Sequence, residues 1–100
     1  MPEKPQILYK PQIPDKPLTI LYFAWLRERV GRSEEQIAPP RDIHTVAALI
    51  GWLTGQSPGH AAALAHTATI RCAINQDFVS LDAAIAPGDE IAFFPPVTGG

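Results

Sequence analysis

The residues with the clearest chemical potential are the last six of the chain, Pro95-Pro96-Val97-Thr98-Gly99-Gly100. The two prolines stop regular strand pairing and stiffen the chain, and six extended residues reach roughly 20 Å. Because Gly99 and Gly100 carry no side chain, a carboxylate on Gly100 can enter a channel that is too narrow for other residues. This carboxylate needs activation, for example as a mixed anhydride with a nucleotide. A Gly-Gly end also occurs as an ordinary frayed terminus, so both interpretations stay open here.

The other nucleophilic and metal-ligating side chains predict no second reactive centre. Cys72 alternates with Arg71 and Ala73 along a predicted strand, which favours a buried thiol over a persulfide carrier. The histidines have no ligand spacing and no cysteine pair nearby, so we expect surface roles and no metal site. The adjacent Glu34 and Glu35 predict a solvated face. The histidines are His44, His60 and His66, and the serines, which lie in no nucleophile motif, are Ser33, Ser57 and Ser80.

The composition fits one small domain and excludes several classes of protein. A chain of 100 residues can build one modest core. Eight Lys and Arg against ten Asp and Glu give a net charge of −2, which is not the basic footprint of nucleic-acid binding. No apolar run approaches the ~20 residues that span a bilayer, and the N-terminus lacks the apolar region of a secretory signal. We therefore expect a cytoplasmic protein with neither a nucleic-acid nor a membrane partner.

Residues 1–17 differ in composition from the rest of the chain. They hold all three lysines and five of the eleven prolines. Proline at this density disfavours a helix and favours extended chain, so this segment is predicted to be a flexible extension. A docking segment that adds Ile7-Leu8-Tyr9 to a sheet edge is the alternative.

Hydrophobic periodicity in the remaining chain predicts a mixed α and β domain over residues 18–94, followed by an extended tail over 95–100. Val46, Leu49, Ile50 and Leu53 share one face of a helix that Thr45 caps and Gly55 ends. Ser57-Pro58 is typical of the start of a second, short helix. The predicted strands cover residues 18–23, 33–38, 70–74, 78–79 and 90–94, with a short helical turn over 24–30. This order is typical of an α+β, β-grasp (ubiquitin-like) fold with one main crossing helix.

Strand alternation separates the two phenylalanines that precede the tail. Side chains two residues apart share a face, so Phe93 joins Ile91 and Phe94 joins Ala92. With helices on one face only, one phenyl ring enters the core and the other faces outward as an apolar contact for a partner. We assign Phe93 to the core and Phe94 to the interface.

Three segments resemble one known family. The chain ends in Phe-Phe-Pro-Pro-Val-Thr-Gly-Gly, residues 93–100, which closely resembles the C-terminus of the small subunits of molybdopterin synthase, also called molybdopterin-converting factor subunit 1. Residues 21–28, Leu-Tyr-Phe-Ala-Trp-Leu-Arg-Glu, are similar to the first strand and turn of that family, and residues 73–76 to the end of its central strand. The resemblance covers residues 18–100, whereas residues 1–17 depart from it.

The resemblance implies a sulfur carrier that is not an enzyme on its own and binds no cofactor or metal. Gly100 would be adenylated by a partner related to ubiquitin-activating enzymes, which consumes ATP, and then converted to a thiocarboxylate. The tail, with Gly99 as a side-chain-free residue, would enter the large subunit of a heterotetrameric synthase. There it would give sulfur to a cyclic pyranopterin monophosphate and form the dithiolene of molybdopterin. The residues expected to contact partners are Phe94, Pro95, Pro96, Val97, Thr98 and Arg27.

Other functions remain compatible with the sequence. A sulfur carrier of the thiamine pathway shares the fold and chemistry but usually lacks the Phe-Phe-Pro-Pro step. A ubiquitin-like modifier would attach Gly100 to lysines of other proteins. A plain interaction module with an inert tail is the third alternative.

Overall fold

A five-stranded mixed sheet organises the part of the chain that the computed structural model describes, residues 16–96. Its strand order is β2-β1-β5-β3-β4, with β1 and β5 parallel at the centre and the other neighbours antiparallel. This arrangement confirms the predicted β-grasp fold. The strands are β1 (Leu18–Tyr22), β2 (Glu34–Ile37), β3 (Arg71–Ile74), β4 (Asp77–Val79) and β5 (Glu90–Phe94).

Between Leu18 and Phe94, three α-helices and one 3-10 turn connect the strands. The predicted main helix is α2, the predicted short helix is α3, and the predicted helical turn after β1 is a third helix, α1. No helix within residues 16–96 is long and apolar enough to cross a membrane. The helices are α1 (Trp25–Val30), α2 (Val46–Thr54) and α3 (Pro58–Ala63), and the 3-10 turn covers Thr67–Thr69.

The helix ends follow the local sequence signals. The Thr45 side chain accepts a hydrogen bond of 3.1 Å from the amide of Ala48, so it caps α2. Ser57 caps α3 in the same way, with a bond of 3.1 Å from the amide of His60. Gly31 ends α1 with φ of 93°, in the left-handed region that glycine adopts without strain.

The core lies between the helices and one face of the sheet. Along β1, alternate residues from Leu18 onward are buried, and along β5 Ile91 and Phe93 are buried in the same way. From α2, the helix positions predicted from periodicity pack against them. Thr19, Leu21, Ala92 and Phe94 therefore face the opposite side, which no helix within residues 16–96 covers.

A tight turn with two left-handed residues joins β3 to β4. Asn75 has φ of 50° and Gln76 has φ of 74°, the pattern of a type I′ hairpin turn. The Asn75 side chain also binds the start of β5. It donates a hydrogen bond of 2.9 Å to the carboxylate of Asp89 and accepts one of 3.0 Å from the backbone amide of Glu90. The turn thus fixes the register of β3, β4 and β5 together.

Candidate functional site

Strand β5 is paired with β1 as far as Phe93 and with β3 as far as its last residue, Phe94, so the position at which the C-terminal residues leave the sheet is fixed. Phe93 lies opposite Tyr22 of β1, and Phe94 lies opposite Arg71 of β3. The amide of Phe23 donates to the carbonyl of Phe93 at 3.1 Å and extends this pairing beyond β1. The tail therefore leaves from the middle of the sheet and not from an edge.

The predicted tail residues divide into two groups. Pro95 and Pro96 are half-buried and continue directly from β5. Val97, Thr98, Gly99 and Gly100 lie outside the described residues, so their expected roles in partner binding and sulfur chemistry stay predictions.

Phe93 and Phe94 lie on opposite faces of the sheet. Phe93 is fully buried, and its ring stacks on Tyr22 with 6.2 Å between ring centroids. This confirms the assignment of Phe93 to the core. Phe94 lies on the uncovered face, where its ring is 5.5 Å from that of Phe78. The partner contact assigned to Phe94 stays a prediction.

The uncovered face carries an apolar patch that the sequence alone revealed only in part. Strand pairing aligns Leu21, Ala92, Ala73 and Phe78 in one row across four strands, with Phe94 beside it. We call these five residues the open-face patch. Phe78 is 81% exposed, the most exposed large apolar side chain within residues 16–96. Its place could have been predicted, because a two-residue turn at Asn75-Gln76 puts Phe78 opposite Ala73.

Arg27 does not share this patch. It lies exposed on α1, in the helical layer, whereas Phe94 faces the other side of the sheet. Its predicted role as a partner contact would thus use a second surface near the end of β1.

Cys72 is buried in the sheet, as predicted. Its side chain is 1% exposed, and the thiol donates to the carbonyl of Val79 at 3.5 Å. Burial raises the pKa of the Cys72 thiol, which suppresses the nucleophilic thiolate. Within residues 16–96, no group of three or more His, Cys, Asp or Glu side chains is arranged to hold a metal ion.

The predictions for His60 and Glu35 as solvated side chains are wrong. His60 is only 6% exposed, and its Nε2 lies 2.7 Å from Oε2 of Glu35. Tyr22 donates its hydroxyl to the same carboxylate oxygen at 2.7 Å, and Ser57 Oγ lies 2.7 Å from Nδ1 of His60. Glu34, His44 and His66 are exposed as expected. The cluster ties β1 and β2 to the start of α3.

The carboxylate of Glu35 is the electrostatic centre of this cluster. Burial by itself would raise the pKa of Glu35, but hydrogen bonds from His60 and Tyr22 outweigh it, and with attraction to His60 and Arg32 they lower this pKa. Burial, together with the hydrogen bond to Glu35, raises the pKa of Tyr22 well above its usual value. Because the Tyr22 ring also stacks on Phe93 in the core, the cluster is in contact with the end of β5.

Close packing of α1 on α3 also shapes the region around the tail exit. A Cβ atom on Gly59 would overlap the carbonyl oxygen of Arg29, so only glycine allows this approach. Within α1, the Arg29 guanidinium lies 4.6 Å from the ring centroid of Trp25. The two helices thus form a continuous wall beside Pro96, which lines the same groove as Trp25 and Arg29.

Comparison with known proteins gives a consistent family. The model of the ThiS family matches residues 20–100. The chain is 43% identical over 83 residues to the molybdopterin synthase sulfur carrier subunit of Escherichia coli, which covers 83% of this chain and 99% of that protein. The protein of the same name from Haemophilus influenzae is 41% identical over 83 residues, which cover 83% of this chain and 99% of that protein.

Solved structures show the same fold. SAMP1 from Haloferax volcanii superposes with a TM-score of 0.67 at 29% identity, over 84% of this chain and 99% of that one. A putative molybdopterin converting factor subunit 1 from Pyrococcus furiosus superposes with a TM-score of 0.67 at 27% identity, over 83% of this chain and 100% of that one.

Proposed function

This chain belongs to the ThiS family, and from that premise we propose that it is the sulfur-carrier subunit of a molybdopterin synthase. The reactive group is the C-terminal carboxylate of Gly100, which is converted to a thiocarboxylate and so carries the sulfur. The domain provides no acid or base to the reaction; it positions the tail and binds the proteins that load and use it.

The observation that carries this proposal is the extent of the match. The family model continues to residue 100, and curated sulfur carriers match over 99% of their length. The similarity therefore includes Gly99 and Gly100, the residues on which the chemistry depends, as well as the sheet that supports them.

The chemistry requires two activated states of Gly100. A carboxylate oxygen of Gly100 attacks the α-phosphorus of ATP in an adenylating partner, which forms an acyl-adenylate and releases pyrophosphate. A donor at the oxidation level of sulfide attacks the carbonyl carbon, AMP leaves, and a thiocarboxylate remains. Each loaded chain then gives its one sulfur to the pyranopterin precursor in the large subunit and water restores its carboxylate, so one dithiolene takes sulfur from two loaded chains. Delivery on a tethered arm makes this transfer effectively intramolecular.

The geometry of the described residues supports this division of labour. β5 is paired on both sides, so the arm has a fixed origin. The open-face patch next to that origin offers Phe78 and Phe94 as apolar anchors for the large subunit in a heterotetramer. Arg27 lies on α1 in the helical layer, so it can contact the adenylating partner on a surface separate from the open-face patch.

Mass spectrometry of the intact chain tests the proposal. After incubation with an adenylating enzyme, ATP and a sulfur donor, the mass should rise by the replacement of one oxygen by sulfur. Addition of the large subunit and the cyclic pyranopterin monophosphate should return the mass to its original value and form dithiolene product. A loaded chain that gives sulfur only to a thiamine precursor would instead identify a carrier of the thiamine pathway.

A second candidate, a protein modifier, is favoured by one comparison. One structural neighbour from Haloferax volcanii is named small archaeal modifier protein 1, at 28% identity and a TM-score of 0.67. Conjugation would join Gly100 to lysines, and all lysines of this chain lie in residues 1–17. We expect no self-conjugates in cells. Peptide mapping that finds Gly100 linked to lysine side chains would support the modifier.

A further inference from the structure

A groove in the helical layer begins where the described chain ends. It lies between α1 and the end of α3 with the segment that follows it, and Pro96 forms one of its walls. We call it the exit groove and define it by Trp25, Arg29, Ala62, His66, Thr69 and Pro96. Because Pro96 immediately precedes Val97, the residues that carry the chemistry start at the groove itself.

The exit groove combines an apolar surface with basic side chains. Trp25 and the small side chain of Ala62 supply the apolar surface and leave room for another chain. Arg29 holds its guanidinium 4.6 Å from the centre of the Trp25 ring, and His66 is exposed nearby. No acidic side chain among residues 16–96 lines the groove. It is therefore suited to a short apolar peptide that ends in an anion.

We propose that residues 97–100 of the same chain occupy the exit groove in the free protein, with the Gly100 carboxylate beside Arg29. Four extended residues reach about 13 Å from Pro96, which itself lines the groove together with Arg29. Val97 would lie on the apolar surface next to Pro96, and the following glycines allow close approach to the groove floor.

The N-terminal segment is a poorer occupant. It joins β1 at Leu18, and Thr19 lies opposite Glu90 at the start of β5. Because β1 and β5 are parallel, that junction is at the opposite end of the sheet from Pro96. The tail, by contrast, starts directly after Pro96, which lines the groove.

Docking in the exit groove would withdraw the reactive carboxylate until a partner binds. The adenylating enzyme would have to displace Gly100 from Arg29 before activation. This inference concerns the unmodified chain alone, so it neither requires nor tests sulfur transfer.

Two tryptophan side chains provide the measurement. In ¹⁵N-labelled protein, a neutral soluble gadolinium chelate broadens the indole signals according to their exposure. We compare the full chain with a chain that ends at Pro96 in a C-terminal amide, so that no new carboxylate enters the groove, and assign the signals with Trp52→Phe. Contacts of this strength leave a mixed population, so removal of residues 97–100 should raise the relaxation enhancement at Trp25 about twofold. Trp52, which lies on α2 and not in the groove, should not change.

Matched variants test the role of Arg29. Arg29→Gln should expose Trp25 more in the full chain than in the chain that ends at Pro96, where only the cover of the Trp25 ring by the guanidinium itself is lost. Arg29→Lys should retain most of the protection, because it keeps a positive charge at this position. Equal effects of Arg29→Gln in both chains would show that Arg29 does not hold the tail.

Two further results would overturn the proposal. Equal relaxation enhancement at Trp25 in the full and shortened chains would show that the tail does not cover the groove. Protection that disappears on dilution would show that the tail of a second copy binds there. Either result would leave the proposed sulfur-carrier function intact, because no sulfur chemistry enters the measurement.

Discussion

The imidazole Nε2 of His60 lies 2.7 Å from Oε2 of Glu35, although the two residues are 25 positions apart in the chain. One residue lies in the first turns of α3 and the other in the edge strand β2. Tyr22 and Ser57 complete the cluster from β1 and from the cap of α3. A side-chain network therefore fixes the helical layer on the sheet beneath the end of β5.

Replacement of Glu35 should destabilise the fold. Glu35→Ala leaves the buried His60 and Tyr22 without their shared acceptor, at a cost of about 2–4 kcal/mol in the free energy of unfolding. Glu34→Ala, the exposed neighbour on the same strand, should cost less than about 0.5 kcal/mol. Urea unfolding of both variants measures the difference. Equal stabilities would contradict a role for the cluster in holding α3.

The contribution of Glu35 should depend on pH in a defined direction. Its folded pKa is below the usual value of 4.5, so the charged carboxylate stabilises the fold fully above that value. As the pH falls through the lowered folded pKa, this contribution is lost. The stability difference between the natural chain and Glu35→Gln should therefore shrink as the pH falls below 4.5. A difference that grows on acidification would contradict the assignment.

In the hairpin turn, one glycine substitution should stabilise the fold and the neighbouring one should destabilise it. Gln76 has φ of 74°, a conformation that costs an L-residue about 1–2 kcal/mol, so Gln76→Gly should raise the free energy of unfolding by about 0.5–1 kcal/mol. Asn75→Gly should lower it by about 1–2 kcal/mol, because the Asn75 side chain makes two hydrogen bonds to the start of β5. Thermal unfolding distinguishes the two, and the same sign for both would contradict the turn geometry.

Much of the fold could be predicted because its signals are local. The caps Thr45 and Ser57 are recognisable from residue type and spacing, and the alternation along β5 separates Phe93 from Phe94. The burial of His60 could not be predicted in this way. Its partner Glu35 comes from a distant strand, and only the packed arrangement of α3 over β2 brings them together.

Phe94 should matter for association and Phe93 for folding. If the open-face patch binds the large subunit, Phe94→Ala should weaken that complex by roughly 2–4 kcal/mol. It should change the stability of the isolated domain by less than about 1.5 kcal/mol, since it loses only the contact with Phe78 at the surface.

Phe93→Ala is the matched control and should cost about 3–5 kcal/mol in stability, because it empties a fully buried position. Titration calorimetry and urea unfolding provide the two readouts. Unchanged affinity of Phe94→Ala for the large subunit would exclude the open-face patch as the interface.

The N-terminal boundary can be located by two truncations. A chain that starts at Lys16 should keep its thermal midpoint within a few degrees, since the extension of residues 1–17 is predicted to be flexible. A chain that starts at Leu18 loses the carbonyl of Lys16, which accepts a hydrogen bond of 3.1 Å from the amide of Gly88. It should be less stable by about 0.5–1.5 kcal/mol. A large loss in the first chain would show that the residues before Lys16 pack on the domain.

The central claim is that the carboxylate of Gly100 must sit at one particular distance from the fixed end of β5. Removal of Gly100 leaves a glycine carboxylate on Gly99, but the reacting carbon retreats by roughly 3.4 Å. One alanine appended after Gly100 moves it outward and adds a methyl group. Misplacement of about 1 Å can cost on the order of a hundredfold in rate. Neither change touches the core, so both variants should fold and bind the large subunit normally.

The most direct measurement is therefore the conversion of the cyclic pyranopterin monophosphate by the synthase, with intact mass to follow thiocarboxylate formation. The natural chain, the chain without Gly100 and the chain with one added alanine are compared under equal loading conditions. We predict loading and conversion by the natural chain and a loss of about a hundredfold or more in conversion by each variant. Normal conversion by both variants would contradict the sulfur-carrier account.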